Sequence, residues 1–417
     1  MLFFDLQLGG MVTRVFITAV STLFAFLAPG QLQAQSSGAS MGKRIDAIFS
    51  GVTSANDPGL AVLVRQNGKN IFERGYGVRD LHTKTKIDAH TNFRLASFTK
   101  QFTAMAIMLL AHDGKLQYDD KLTKFFPEFP VYGKDVTIRN LLNHTSGLPD
   151  YEDLMEAEEK AKGPLWTPEH QIQDQEVLQL LEKASGGFFE PGMSWAYSNS
   201  GYVVLGLVVA KVSGKPFGEF LAGRIFRPLH MDHTLMYMKG KNEVTNRAYG
   251  HTKQKETCAF QETDQSPTSA TQGDGGIYTR LEDLTKWDDA LREHTLLSAE
   301  EMKPALTEVK LVDGSSTHWP DPPHGDNGTP GKPVSYGFGW FVDPYEGHAR
   351  MWHTGGTMGF RTVIERFLDD NLTIIILSNR TDLDPEKLSL QVAENFLTEK
   401  KVISSLAINA SLRIKTN

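Results

Sequence analysis

Short apolar runs separated by turn residues lie at both ends of the chain. Residues 60–64 and 70–73 are largely apolar and flank an Asn-Gly pair, which predicts two strands joined by a tight turn. Residues 337–341, 360–367 and 372–377 have the same character near the other end. An Asp-Asp-Asn sequence separates the last two and favours a hairpin. The pattern therefore predicts strands at both ends of the chain.

The middle of the chain has helical spacing instead. Residues 93–110 are rich in Ala, Met, Leu and Ile and are followed by Asp-Gly, which predicts a buried helix that ends at a glycine. Apolar residues recur at helical intervals in 136–143, 175–183 and 199–212. From 115 to 234 the chain has little strand character, so we expect a mostly helical region there.

This order of elements predicts an α+β fold. Strands at both ends with helices between them indicate an antiparallel β-sheet flanked by helices, with an inserted, mostly helical lobe. We expect the sheet and its helices to comprise residues from about 41–114 and 235–400, with a closing helix over 386–397. The helical lobe then covers about 115–234, and 401–417 form a C-terminal tail.

Residues 1–34 have the pattern of a secretory signal peptide. Arg14 precedes an apolar run over 15–27, and small residues follow it. The run is shorter than the roughly 20 residues that span a bilayer, although an uncleaved anchor stays an alternative. Whether the chain starts at Met1 or at Met11 stays open. We expect a mature protein that begins near Gln35, without a membrane span, in a periplasm or outside the cell.

The charge balance and the single cysteine exclude several classes of partner and site. The chain has 43 Lys and Arg against 50 Asp and Glu, a net charge of -7, so it offers no basic field for nucleic acid. One cysteine, Cys258, cannot form an internal disulfide or a cysteine-rich metal site. His230 and His233 have ligand-like spacing, but the sequence around them is typical of a turn. We therefore predict no metal.

The first motif that carries chemistry is Ser-Phe-Thr-Lys over residues 97–100. A spacing of three puts Ser97 and Lys100 on one face of a helix, within reach of each other. A serine hydroxyl needs a neighbour that takes its proton, and a lysine in apolar surroundings can do so. Ser40 also begins a Ser-x-x-Lys sequence, but it directly follows the signal peptide. Taken alone, Ser97 is better explained as a helix N-cap than as a nucleophile.

Two further motifs follow in order. Tyr197 and Asn199 belong to a Tyr-Ser-Asn sequence in a loop-like segment, which would present a phenol and an amide to a cleft. His-Thr-Gly-Gly covers residues 353–356, and its glycines allow a backbone edge to approach a ligand closely. A buried tyrosine and a strand that ends in a glycine turn would explain the same residues structurally. Each motif is weak on its own.

Together, in this order, the three motifs resemble the serine β-lactamase and penicillin-binding protein superfamily. The resemblance is greatest to its branch of class C β-lactamases, D-alanyl-D-alanine carboxypeptidases and esterases. Four further stretches are similar to that branch, namely 92–96, 141–149, 273–278 and 336–340. The resemblance implies one serine hydrolase domain over 35–400, with the fold predicted above and a cleft between its lobes.

The resemblance also implies roles for individual residues. Ser97 is the expected nucleophile, and Lys100 keeps Ser97 and Tyr197 in the right proton state. Tyr197 is the general base in acylation and helps to activate water in deacylation. The backbone N–H groups of Ser97 and Gly356 form the expected oxyanion hole, where charge develops on the carbonyl oxygen. The expected substrate-binding residues are Asn199, His353, Thr354 and Gly355. No cofactor is implied.

Two departures from the family pattern bear on the substrate. His353 stands where many members have lysine, and a histidine near its usual pKa of about 6.5 is mostly neutral at pH 7. If it faced a substrate carboxylate, anionic substrates would bind better in acid. The middle motif is Tyr-x-Asn rather than Ser-Asp-Asn, so no glutamate base is assigned.

The sequence leaves the substrate open among an ester, a D-amino-acid peptide or amide, a β-lactam and a peptidoglycan-type peptide. The alternatives to a general secreted hydrolase are a class C-like β-lactamase proper and a slow penicillin-binding sensor that retains its acyl group. We expect the polar stretch 161–190 and the Pro- and Gly-rich stretch 314–333 to line the rim of the pocket.

Overall fold

A computed structural model of the chain describes residues 41–322 and 329–397. The predicted signal peptide, Ser40 and the predicted tail lie outside these residues. In the part that is described, no helix has the length and apolar character needed to cross a membrane.

The described residues form ten strands and a larger set of helices. The strands are β1 (Leu60–Gln66), β2 (Lys69–Tyr76), β3 (Phe93–Arg94), β4 (Leu235–Met236), β5 (His251–Lys253), β6 (Phe260–Glu262), β7 (Ile277–Thr279), β8 (Arg350–Thr357), β9 (Phe360–Phe367) and β10 (Leu372–Ser378). The helices are α1 (41–50), α2 (Lys100–His112), α3 (Leu122–Phe125), α4 (Ile138–Leu142), α5 (Tyr151–Lys162), α6 (Asp174–Lys183), α7 (Asn199–Ser213), α8 (Phe217–Leu221), α9 (Leu281–Glu293), α10 (Ala299–Leu306) and α11 (385–397).

The main sheet is antiparallel and has the order β2-β1-β10-β9-β8. Every residue of β10 is buried, because helices cover both faces of the sheet. On one face, Ala61 and Leu63 of β1 join the large apolar core that includes α2 and α9. On the other, Phe49 of α1 packs on Tyr76 of β2, with ring centroids 5.7 Å apart. The predicted sheet flanked by helices is therefore confirmed.

Helices fill the chain between β3 and β4, and no strand occurs there among the described residues. The apolar helix α7 ends where Gly214 adopts a left-handed conformation with φ 68°. The helix predicted over 93–110 differs at its start. Residues 93–94 pair with β7 as a short strand, and the α-helix begins at Lys100. Apolar content alone does not distinguish such a buried strand from the helix that follows it.

The strand predicted over 337–341 is wrong. These residues form a tight bend in which Gly337 N–H donates to the Trp340 carbonyl and Gly339 has φ 80°. A side chain at Gly339 would meet the Lys100 carbonyl at 2.9 Å, so the bend packs directly on the start of α2. The aromatic residues that resembled a strand are buried in this bend instead.

Candidate active site

Ser97 lies in a single turn of 3₁₀-helix, Ala96–Thr99, between β3 and α2. Ala96 has a φ of 50°, which is uncommon for a residue with a side chain and turns the chain sharply. Ser97 is partly exposed, whereas Ala96, Phe98 and Thr99 are buried. The turn therefore presents one hydroxyl from an otherwise buried element.

Lys100 begins α2 directly after this turn, and its side chain is 0% exposed. Its Nζ donates to the Ser97 Oγ at 3.1 Å, to the Asn199 Oδ1 at 2.8 Å and to the Asp274 backbone carbonyl at 3.2 Å. The structure thus brings the predicted nucleophile, lysine and asparagine together. All three contacts are to neutral oxygens, so none of them is an ion pair.

The electrostatic surroundings of Lys100 favour its neutral form. Burial lowers the pKa of its ammonium group to about 8, although the carboxylates of Asp274, Asp150 and Glu152 oppose this shift. An amine with this pKa is partly neutral at mildly alkaline pH. It can then accept the proton of the hydroxyl that lies 3.1 Å away.

Tyr197 lies in the loop before α7, close to Lys100. The Lys100 Nζ is 4.8 Å from the centroid of the Tyr197 ring. Burial raises the pKa of the Tyr197 phenol well above its usual value, and the nearby Ser97 side chain opposes this shift in part. The hydroxyl is buried and has no hydrogen-bond partner of normal geometry among the described residues. Tyr197 is therefore protonated in the free protein.

His353 is buried in β8 and 1% exposed. Its Nδ1 donates to the Thr354 carbonyl at 2.6 Å, so its Nε2 accepts from the Tyr336 hydroxyl at 3.0 Å. Burial and the positive charge of Lys100 lower the pKa of His353 to about 3. The expectation that this imidazole becomes charged near pH 6.5 is therefore wrong, because its surroundings disfavour the cation.

The two glycines that follow have different environments. A side chain at Gly355 would meet the Leu95 carbonyl at 2.0 Å, so this glycine lets β8 pack against the segment that leads to Ser97. A side chain at Gly356 would make ordinary contacts with Arg361 at 3.6 Å or more. Gly356 is exposed, and both glycines line a cavity. The sequence analysis expected the glycines to let a ligand approach the backbone closely. At Gly355, the backbone instead approaches another backbone segment, the one that contains Leu95.

This cavity has a volume of about 990 Å³ and also includes Asn199 and Thr354 in its lining. Its charged lining is mainly acidic. Among the described residues that line it, Arg361 is the one with a guanidinium group, and carboxylates are more numerous. The carboxylates are those of Glu152, Glu156, Glu159, Asp384 and Glu386. The cavity therefore suits a neutral or cationic molecule better than an anion.

Sequence reasoning gave no role to two residues that contact the site. The Asp274 carbonyl accepts from Lys100, and the Tyr336 hydroxyl donates to His353. Both lie in stretches that resemble the family, 273–278 and 336–340, which was the one signal for them. In the described residues, no three His, Cys, Asp or Glu side chains are grouped so as to hold a metal ion.

Comparison with known proteins identifies relatives over most of the chain. Residues 45–395 match the model of the beta-lactamase family. Penicillin-binding protein 4* of Bacillus subtilis (strain 168) is 30% identical, over 85% of this chain and 76% of its own length. The structure of D-amino acid amidase from Ochrobactrum anthropi SV3 superimposes with a TM-score of 0.70 at 23% identity, covering 87% of this chain and 99% of that one. EstCE1, a hydrolase with promiscuous acyltransferase activity, gives 0.67 at 21%, covering 86% and 98%.

Proposed function

This chain is a serine hydrolase of the beta-lactamase family, and we propose that it cleaves esters and amides through an acyl-enzyme on Ser97. One observation carries the proposal. A buried lysine with a pKa of about 8 lies 3.1 Å from the Ser97 hydroxyl, which is partly exposed. This pair supplies the nucleophile and the base that acyl transfer needs.

In the proposed reaction, neutral Lys100 takes the Ser97 proton as Oγ bonds to the substrate carbonyl carbon. Lys100 replaces Tyr197, the general base that the family resemblance implied, because burial keeps the Tyr197 phenol protonated. The negative charge that develops on the carbonyl oxygen is stabilised by the backbone N–H groups of Ser97 and Gly356. The intermediate collapses, the C–O or C–N bond breaks, and the leaving alcohol or amine takes a proton through Tyr197. Lys100 has by then passed its proton on through Tyr197 and is neutral again, so it takes a proton from water as the water oxygen bonds to the acyl carbon. The bond from that carbon to the Ser97 Oγ breaks, Lys100 returns the proton to Oγ, and the carboxylic acid leaves.

The remaining motif residues bind and orient in this proposal. Asn199 holds Lys100 through its Oδ1 and lines the cavity, so its amide nitrogen is the proposed donor to the substrate. Thr354 and Gly355 contribute the edge of β8 beside the substrate. The buried His353 supports this edge as a neutral group that accepts a hydrogen bond from the Tyr336 hydroxyl.

We further propose that substrates without a carboxylate are preferred. The family position that many members fill with lysine is a buried neutral histidine here, and the cavity lining is acidic. Neutral esters and amides with a free amine fit this electrostatic field, whereas β-lactams and peptides that end in a carboxylate are opposed by it. The second candidate function is the trapping of penicillin as a lasting acyl-enzyme, because one relative of this chain is named a penicillin-binding protein.

Location and processing are part of the same proposal. The apolar segment over 15–27 supports removal of a signal peptide over 1–34 and export of the hydrolase domain. Cell fractionation with an antibody against the domain, together with N-terminal sequencing of the mature chain, tests this.

Four substrates measured on one protein preparation test the function. We expect p-nitrophenyl acetate and a D-amino-acid anilide with a free amine to be hydrolysed with a kcat/KM at least about tenfold above that of nitrocefin, a difference of about 1.4 kcal/mol. A peptide that ends in D-Ala-D-Ala is expected to behave like nitrocefin. Ser97→Ala, purified in parallel, is the control for contaminating hydrolases.

Two outcomes would change the proposal. Efficient nitrocefin turnover would make the protein a β-lactamase. A fluorescent penicillin that stays bound to Ser97, with no turnover of any of the four substrates, would make it a penicillin sensor.

A further inference from the structure

His144 is a buried histidine to which the proposed reaction gives no part. It lies just after α4 (Ile138–Leu142), in a stretch that resembles the family, and is 0% exposed. Its φ of 64° places it in the left-handed region, where residues other than glycine are uncommon and Asn, Asp and His are the most frequent of them. A large side chain in this conformation, fully enclosed, calls for a specific reason.

Two hydrogen bonds join His144 to the loop that carries Tyr197. The N–H of Ala196 donates to the His144 carbonyl at 3.0 Å, and the N–H of Ser198 donates to its Nδ1 at 3.1 Å. These partners are the residues on either side of Tyr197. Because a backbone N–H can only donate, Nδ1 is the acceptor and the imidazole proton lies on Nε2.

Ser198 links this contact to a second motif residue. Its side chain accepts from the N–H of Gly201 and caps α7, whose first residue is Asn199. The imidazole of His144 therefore fixes the backbone at the point where the tyrosine loop ends and the helix with the asparagine begins.

The ring of His144 also fills the space between two phenols. Its centroid is 4.4 Å from that of Tyr197 and 4.5 Å from that of Tyr336. Tyr336 in turn donates to His353 on β8. One side chain thus contacts both the loop that carries the general acid–base group and the residue that supports the substrate edge.

We propose that His144 is a positioning residue that holds Tyr197 and Asn199 in their reactive geometry. The inference rests on the proposed function, because it concerns the same site. The imidazole remains a neutral acceptor during catalysis, since burial, together with the positive charge of Lys100 while it is protonated, holds the pKa of His144 well below its usual value. A misplacement of about 1 Å in such a site can lower a rate by about a hundredfold.

A pair of substitutions that differ in where they place an amide tests this role. In His144→Asn, the amide oxygen can take the place of Nδ1, and asparagine tolerates the positive φ. In His144→Gln, the amide lies one bond further out, near the place of Nε2, and the Ser198 N–H loses its acceptor. We expect His144→Asn to retain kcat on p-nitrophenyl acetate within about tenfold, and His144→Gln to lose about a hundredfold with a smaller change in KM.

His251→Ala is the matched control for the loss of a buried histidine. His251 is also 0% exposed, its Nδ1 lies 3.3 Å from the Asn379 carbonyl, and its Nε2 has no partner among the described residues. We expect this variant to lose stability in urea while its kcat stays unchanged.

A double substitution shows whether His144 acts through Tyr197. Tyr197→Phe alone is expected to lower kcat by a factor of about 10² to 10⁴. Adding His144→Gln to it is expected to cost little more, because groups that act as a unit are not additive.

Equal kcat values for His144→Asn and His144→Gln, or additive losses in the double variant, would overturn the positioning role. If wild-type protein neither hydrolyses the ester nor forms an adduct at Ser97, it is the proposed function that fails. If the wild type is active and the Asn and Gln variants differ from it only in stability, as His251→Ala does, only the role of His144 fails.

Discussion

Among the buried cations of the described residues, two sites compensate the positive charge in opposite ways. Arg65 on β1 is 2% exposed and pairs with Asp288 of α9 at 2.6 Å, while Arg366 on β9 pairs with the same carboxylate at 2.8 Å. Lys100 is equally buried but forms no salt bridge within the described residues. Its contacts are to Ser97, Asn199 and a backbone carbonyl. A fully paired buried charge anchors a helix to the sheet, whereas a cation without a paired anion keeps a titratable proton.

The largest effect is expected from a substitution of Ser97, whose hydroxyl contacts the unpaired Lys100. Ser97→Ala should abolish covalent labelling by a fluorophosphonate, because no hydroxyl remains beside the Lys100 Nζ. Ser40→Ala is the control, since Ser40 carries the second Ser-x-x-Lys sequence and also a Gly-x-Ser-x-Gly sequence. Intact-mass spectrometry detects the adduct, and an adduct that persists in Ser97→Ala would remove Ser97 as the nucleophile.

Substitutions at the two buried cation sites should separate activity from stability. Lys100→Met removes the base and should lower kcat by a factor of at least about 10² to 10⁴, with the fold retained. Asp288→Asn should instead lower the free energy of unfolding by about 3–5 kcal/mol, because it leaves Arg366 buried without its anion and leaves Arg65 with only the partly exposed Asp289.

Urea unfolding and kcat measured on both variants check this contrast. A Lys100→Met protein that unfolds far more easily than wild type but retains its kcat would show that the lysine is structural.

The pH profile should report the proton on Lys100. The active form is the neutral amine, so below its pKa of about 8 the kcat/KM for a neutral ester should fall about tenfold per pH unit, and above it the value should level off. No second ionisation from His353 is expected above pH 4, because its pKa is about 3. A profile that is flat between pH 6 and 9 would contradict the assignment of Lys100 as base.

The smallest effect is expected at His353. His353→Gln keeps a neutral side chain with a donor and an acceptor, so kcat/KM on a neutral ester should change by less than about tenfold and the pH midpoint should stay the same. His353→Lys adds a charge beside Lys100 and should shift preference towards substrates with a carboxylate. Unaltered substrate preference in His353→Lys would remove this position from substrate recognition.

The spacing of hydrophobic residues predicted the order of strands and helices, because that order depends on local sequence patterns. The Asn-Gly turn between β1 and β2 adopts positive φ values of 51° and 74° at Asn67 and Gly68, as its sequence requires. The segments over 93–99 and 337–341 were mistaken because their apolar residues are buried by distant parts of the chain. Whether such a run forms a strand, a turn or a helix is decided by what packs on it.

The candidate site shows the same division. Motif order brought Ser97, Lys100 and Asn199 into one prediction, and their side chains do meet. The neutral state of His353 could not be predicted from the sequence, because it depends on burial and on the charge of Lys100, which lies in another segment. The contact between Asp274 and Lys100 could not be predicted for a different reason. Its backbone carbonyl contacts Lys100, and any residue type supplies a carbonyl.

The pairing of β1 with β10 has a consequence for biosynthesis. Leu60 lies opposite Ser378, and β10 separates β1 from β9 in the sheet. The sheet therefore lacks its middle strand until residues 372–378 have left the ribosome, long after β1. Such distant pairing slows folding, and until β10 arrives β1 retains an open apolar edge. A messenger truncated between the end of α2 and the start of β10 should thus yield a chain that has its nucleophile, has no activity, and aggregates.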